Sequence, residues 1–295
     1  LKISFYDAAP EDSKFYLHPE ISYELEPSTT YFEKNTTYHL TYAEEHDQKL
    51  EIDPRVEYKL NNFAHRCDDF VKIDKDKTNV LFAGCSSTFG HSLPEKYVWT
   101  KKLYNSLPFK NKGPFQSIGI PGAGIERIVS NILKYCNKFG NPDYIFIAHA
   151  DFSREVVYLP ETDQFINKIH LDYETNSIED DKDFYLMFKF QLLYRFLEIY
   201  CASHNIKLLS YSWDSVTINR VKSIFPITFI DENKSLEQYA KLFDYDSIDS
   251  QDSDFLVSGR DGHHPGIIHH DLVFNLFLSS LKKLTDDHTQ GTLIL

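Results

Sequence analysis

The chain has 295 residues, 42% of them hydrophobic and 25% charged, and its 31 Lys and Arg against 44 Asp and Glu leave a formal charge of −13 at pH 7. That length buries a substantial core and that composition excludes a disordered chain. The acidic excess argues against broad binding of nucleic acid or anionic membrane, which needs basic surface. No apolar run approaches the roughly 20 residues of a membrane span. Cys67, Cys85, Cys136 and Cys201 are widely spaced, so reduced thiols are expected rather than a disulfide framework or a paired-cysteine metal site. A cytoplasmic location is favoured, with a virion-associated one as the alternative. The chain opens on Leu1 rather than Met, which leaves room for a preceding leader.

Residues 1 to 75 alternate apolar and polar side chains in "ISYELEP", "TTYHLTYAEE" and "QKLEIDPRVEYKL". They predict short strands and loops, an antiparallel N-terminal extension or wrapping arm. Residues 76–295 have a different rhythm. "NVLFAG" predicts a buried strand, Pro94–Leu107 a helix, "FQSIGI" a second strand, and "GIERIVSNILKYCNKFG" an amphipathic helix closed by Gly140. "DYIFIAHA" predicts a third strand, followed by a polar insertion over 151–182 and the long apolar helix "DFYLMFKFQLLYRFLEIYCASHN". "IKLLSYS" and "PITFI" predict a fourth and a fifth strand. The acidic "FDYDSIDSQDSD" reads as a solvated loop, and "PGIIHHDLVFNLFLSSLKKL" as a terminal helix. Alternating strands and helices imply an α/β fold, a three-layer αβα sandwich on a mostly parallel five-stranded sheet.

Ligands of such sheets collect beyond the carboxyl ends of the strands, which is where "GCSSTFG" (Gly84–Gly90) falls. Ser86 there is a candidate nucleophile, and it needs a base with an orienting partner. "RDGHHPG" offers His264 and Asp261, three residues apart before the terminal helix. Each feature alone has a plainer reading. The glycine-serine turn can be an ordinary loop or a phosphate cradle, Asp261 a helix cap, and His264 a packed side chain. Cys85, beside Ser86, is a second candidate nucleophile. His263, His264, His269, His270 and Asp271 invite a metal reading. No second ligand cluster accompanies them, so a solvated helix face is preferred for His269 and His270. "GIPGAG" lacks the spacing of a dinucleotide-binding loop. No cofactor and no metal are expected.

"GCSSTFG" resembles the first block of the SGNH/GDSL hydrolase family, Gly-Asp-Ser-x-Thr-x-Gly, with Cys85 in place of Asp, and "DGHHP" resembles its last block, Asp-x-x-His-Pro. "SIGIPGAG" is similar to the second block, whose glycine falls at Gly122. The resemblance spans about Asn79 to Leu284. It implies a flavodoxin-like sheet and a serine esterase with the triad Ser86, His264 and Asp261. It also implies an oxyanion hole from the backbone N–H groups of Ser86 and Gly122. The third block, Gly-x-Asn-Asp, is replaced by "IAHADFSRE", which has no Asn; His149 or Arg154 is the candidate substitute donor. The expected partner is a small ester or an acetylated carbohydrate. The missing Asn and the N-terminal extension motivate an alternative, a structural or binding protein on this fold with weak or no catalysis.

Overall fold

The computed structural model describes residues 35, 37–42, 51–159, 164–169, 171–172, 177–178, 183–212, 248, 250–257 and 264–290. The N-terminal strands β1 (Thr37–Tyr42) and β2 (Glu51–Lys59) pair antiparallel, with a register shift between His39 and Thr41. The apolar run Val80–Gly84 forms β3, which is buried along its whole length and leads into the one-turn helix α1 (Ser86–Phe89). The segment predicted as one helix over Pro94–Leu107 is divided. A 3-10 turn at Glu95–Tyr97 ends where Val98 turns extended, and α2 (Trp99–Ser106) begins after it.

Strand β4 (Gln116–Gly119), helix α3 (Ile125–Phe139) and strand β5 (Tyr144–His149) follow as the sequence predicts. The polar insertion carries unpredicted strands. β6 (Arg154–Leu159) and β7 (Gln164–Ile169) form an antiparallel hairpin, and β8 (Leu171–Asp172) pairs with β9 (Ser177–Ile178). "REVVYL" and "QFINKI" are short, β-branched-rich runs; their polar neighbours masked that signal. Helix α4 (Asp183–Ser203), strand β10 (Lys207–Ser212) and helix α5 (Ile267–Gln290) complete the described chain. The predicted fifth strand "PITFI" and Asp261 lie outside the described residues.

The central sheet among these residues has the order β10-β5-β3-β4, every pair parallel. Side chains alternate across it as the pleat requires. Leu81, Ala83, Ile145 and Ile147 pack with Ile128, Ile132 and Tyr135 of α3 and Phe190 and Leu197 of α4. Val80, Phe82, Tyr144 and Phe146 point the other way, to Trp99 and Leu103 of α2 and Val273 and Phe277 of α5. The protein is therefore an α/β sandwich with a parallel sheet and helices on both faces.

Because β3 leads to β4 on one side, and β4 returns past β3 to β5 on the other, the strand order reverses at β3. The carboxyl end of β3 is thus the topological switch point where ligands of open α/β sheets bind.

A third cluster lies at that end. Val56, Tyr58, Leu60 and Ala64 from the N-terminal segment are buried with Phe89, Leu93 and Val98 from the segment after β3, and with Phe255 and Ile267. Within the acidic stretch before α5, Asp252 is more enclosed than a residue of a solvated loop. Asp252 sits on a 3-10 turn (Ser250–Phe255) and is only 4% exposed. Its carboxylate accepts a hydrogen bond from Tyr97 Oη at 2.9 Å and pairs with Lys96 at 2.9 Å. The Lys96 charge and the Tyr97 hydroxyl compensate its desolvation, which composition alone does not reveal.

Candidate active site

The site begins with a sharp strand-to-helix turn. Gly84 has φ +152°, and a Cβ there would overlap Thr88 Oγ1 and the Ala148 carbonyl oxygen, so only glycine lets β5 and α1 approach this closely. Cys85 is extended (φ −93°, ψ −152°), and Ser86 opens the helical turn. The Thr88 and Phe89 N–H groups donate to the Cys85 carbonyl at 3.0 and 3.1 Å. Gly90, in the left-handed conformation (φ 75°, ψ 46°), closes it, and the Gly90 and His91 N–H groups both donate to the Ser86 carbonyl. Thr88 Oγ1 donates back to the Ala83 carbonyl at 3.3 Å. Ser86 is thereby fixed at the switch point, 6% exposed. Cys85 is buried, and all four cysteines are free thiols. Burial pushes the thiols of Cys136 and Cys201 up to about 12, so both are poor nucleophiles.

The second block sits on the neighbouring strand. Ile120 N–H donates to the Gly84 carbonyl at 2.9 Å. Ala123 N–H donates to the Ile120 carbonyl at 3.0 Å, and Gly122 has φ +77°. Pro121 at the second position and a positive-φ glycine at the third make this a type II turn. Gly122 therefore stands beyond the carboxyl end of β4, beside the end of β3.

His264 is half-buried, three residues ahead of α5. Its ring lies 4.4 Å, centroid to centroid, from that of His91, five residues after Ser86. His264 is thus brought against the segment that carries Ser86, across more than 170 residues of chain.

The third-block groups go to different places. His149 ends β5 fully buried, its ring edge-on to Phe190 and Tyr194 of α4 at 5.3 Å each. Burial pushes its pKa down to about 3, so the imidazole is neutral. Asp151 is buried and accepts hydrogen bonds from Ser153 Oγ and from Arg154 Nε, the latter at 2.7 Å. Arg154 also lies against the second block: a Cβ at Gly124 would come within 2.9 Å of its carbonyl oxygen and 3.1 Å of its Cβ.

His269 and His270 are not on a solvated face. His270 is 1% exposed and accepts a hydrogen bond on Nδ1 from Trp99 N–H at 3.2 Å. Burial holds the pKa of His270 well below its ordinary value and that of His269 at about 3. Packing of α5 against α2 encloses His270, a partner that helical periodicity on α5 could not name. Among the described residues no group of three or more His, Cys, Asp and Glu is placed to hold a metal ion. Nor is any described helix long and apolar enough to cross a membrane.

His149, His269 and His270, each held neutral by desolvation, set an acid limit on stability. Their folded pKa values lie below the ordinary 6.5. The unfolded chain therefore binds more protons below that value, and stability falls as pH drops from about 6.5 toward 3. Each contributes up to roughly 1.4 kcal/mol per pH unit in that window. The urea midpoint is expected to drop steeply between pH 7 and 5, and less steeply in His149→Leu. A midpoint flat over that range would contradict the buried-neutral assignment.

No family model matches the chain, and no curated protein matches it. Solved structures do. The chain is similar to a G-D-S-L family protein from Desulfitobacterium hafniense DCB-2, at 14% identity and TM-score 0.37, over 68% of this chain and 97% of that one. It is similar to TesA at 10% identity and TM-score 0.40, over 70% of this chain and 99% of that one. It is also similar to the acetyl xylan esterase Est2A from Butyrivibrio proteoclasticus, at 11% identity and TM-score 0.41, over 73% of this chain and 66% of that one.

Proposed function

We propose that the protein is a serine esterase of the SGNH type, with Ser86 as nucleophile, His264 as general base and Asp261 as the group that orients His264. The observation that carries this reading is the convergence at the end of β3. The turn that presents Ser86 is held by a glycine contact no other residue permits, and His264 packs on His91 of the same segment. Ser86 Oγ attacks the ester carbonyl carbon while His264 takes its proton. The tetrahedral oxyanion is met by the N–H groups of Ser86 and Gly122, and collapse expels the alcohol, which His264 protonates. Water then attacks the acyl-enzyme, and His264 again serves as base.

Aligning the aspartate of the family's third block on Asp151 puts Ala150, not asparagine, at the position of the third donor. Of the two substitutes, Arg154 is the better placed, because it adjoins the Gly122–Gly124 turn while the His149 ring faces α4. Arg154→Ala is expected to lower turnover about 10- to 100-fold, somewhat less than loss of a full oxyanion donor. A rate unchanged from wild type would remove Arg154 from the oxyanion hole.

The substrate class we favour is a short acyl ester, an acetyl group on a carbohydrate. Hydrolysis of acetylated sugars against long-chain p-nitrophenyl esters tests it: turnover confined to the long-chain esters would overturn the carbohydrate assignment. The alternative, a binding or structural protein with weak or no catalysis, is favoured by Ala150 alone.

A further inference from the structure

The buried guanidinium of Arg66 lies well outside the family-like blocks, yet it is built into the turn that carries Ser86. Arg66 is 5% exposed. Its Nη1 donates to the carbonyls of Phe89 and Gly90 at 3.4 and 2.7 Å, and its Nη2 donates to those of Glu57 and Leu93 at 2.8 and 2.9 Å. Three of these four acceptors belong to the five residues that leave α1, and the fourth belongs to β2. The guanidinium carbon also lies 4.4 Å from the centroid of the Tyr58 ring. Tyr58 stacks in turn on Phe89 at 5.2 Å, with its ring inclined by only 13°. Its hydroxyl accepts the N–H of Ser92 at 2.6 Å, where Ser92 holds a left-handed φ of +63°. Tyr58 and Phe89 both approach His91, the residue that packs on His264.

We propose that Arg66 is a positioning residue, which together with Tyr58 clamps the Phe89–Leu93 turn so that Ser86 and the His91–His264 contact keep their geometry. This rests on the reading of Ser86 as nucleophile. Buried carbonyls at a turn must find donors, and here the guanidinium supplies them. A planar fork of fixed donors satisfies several carbonyls at once and holds them in one arrangement. A lysine keeps the charge but loses the fork. Its single ammonium cannot reach Glu57, Gly90 and Leu93 together in the same geometry. The N-terminal segment is on this account part of the machinery of the site and not a separate attachment, because it supplies both members of the clamp.

The test uses the full chain in four forms: wild type, Ser86→Ala, Arg66→Lys and Tyr58→Phe. Two readouts are taken: the rate of labelling by a fluorophosphonate probe, with kcat and KM for p-nitrophenyl acetate, and hydrogen exchange of backbone amides in residues 86–93 against residues 128–136 of α3. In Arg66→Lys, exchange over 86–93 is expected to rise about tenfold with α3 unchanged. Labelling and kcat are expected to fall about tenfold with KM within about twofold, since sub-ångström misplacement of a reacting group acts on the chemical step. Tyr58→Phe, which loses the bond to Ser92 but keeps the ring, is expected to show the same pattern at about threefold. Unchanged exchange over 86–93, or exchange that rises equally in α3, overturns the clamp. Raised exchange with wild-type labelling and kcat overturns its bearing on Ser86. If Arg66→Lys does not fold, Tyr58→Phe decides by the same readouts. Wild type labelling no faster than Ser86→Ala refutes the nucleophile reading instead, and the exchange data then decide the clamp by themselves.

Discussion

Ser86→Ala is expected to fold like wild type and to lose ester hydrolysis and fluorophosphonate labelling by at least about 10³-fold. The fold should hold because the serine side chain carries none of the contacts that shape the turn. That turn is made by the Cys85 and Ser86 carbonyls, by Thr88 Oγ1 on Ala83, and by the absence of a side chain at Gly84. The activity should fall because removing a covalent nucleophile leaves only binding and the oxyanion donors. Thermal unfolding and rates for wild type and variant on one acetyl ester check both halves. Equal labelling of the two forms would send the nucleophile elsewhere.

Gly84→Ala is expected to damage stability and the site together. The new methyl would overlap Thr88 Oγ1 and the Ala148 carbonyl, and φ +152° is a conformation that alanine rarely adopts. Backbone strain of this kind is worth about 1–3 kcal/mol, and overpacking in a closed core adds a comparable amount. Relief requires α1 to move away from β5, which carries Ser86 with it. The expected result is a lower urea midpoint, together with a fluorophosphonate rate reduced at least about tenfold in the folded fraction. Gly84→Ala with wild-type stability and rate would mean that the turn relaxes freely and that its geometry is not what presents Ser86. Gly113→Ala provides a contrast. A Cβ there would meet the tip of the Asn79 side chain, far from the nucleophile turn, so any effect should appear in stability and not in the ratio of labelling to folded protein.

The parallel sheet was legible because its strands are short and apolar on both faces: "VLFAG" and "YIFIA" carry no solvent side to obscure them. The glycine-bounded turn at the end of β3 was legible as well, since Gly84 and Gly90 are written locally around it. What the sequence hid depends on partners distant in the chain. Arg66 and Tyr58 meet Phe89 to Leu93 only after folding, and nothing in "NFAHRCDD" announces a guanidinium buried among carbonyls. His270 looks solvated on a helix taken alone, yet α2 packs against it and supplies the Trp99 N–H to its ring. Asp252 reads as one acid among many until Tyr97 and Lys96, some 155 residues away, are seen to enclose it. The β6–β7 hairpin was hidden by composition, because polar residues between its β-branched positions make the segment resemble a loop.

On the proposed mechanism Ser86, and not its neighbours Cys85 or Ser87, is the reactive group. Mass spectrometry of the full chain after reaction with a fluorophosphonate, followed by peptide mapping across residues 80–93, addresses it most directly. A single phosphonyl adduct on Ser86 is expected, formed quickly in wild type and slowed at least about 10²-fold in His264→Gln, where the general base is lost. An adduct on Cys85 or Ser87, or none at any residue of that peptide, would contradict it.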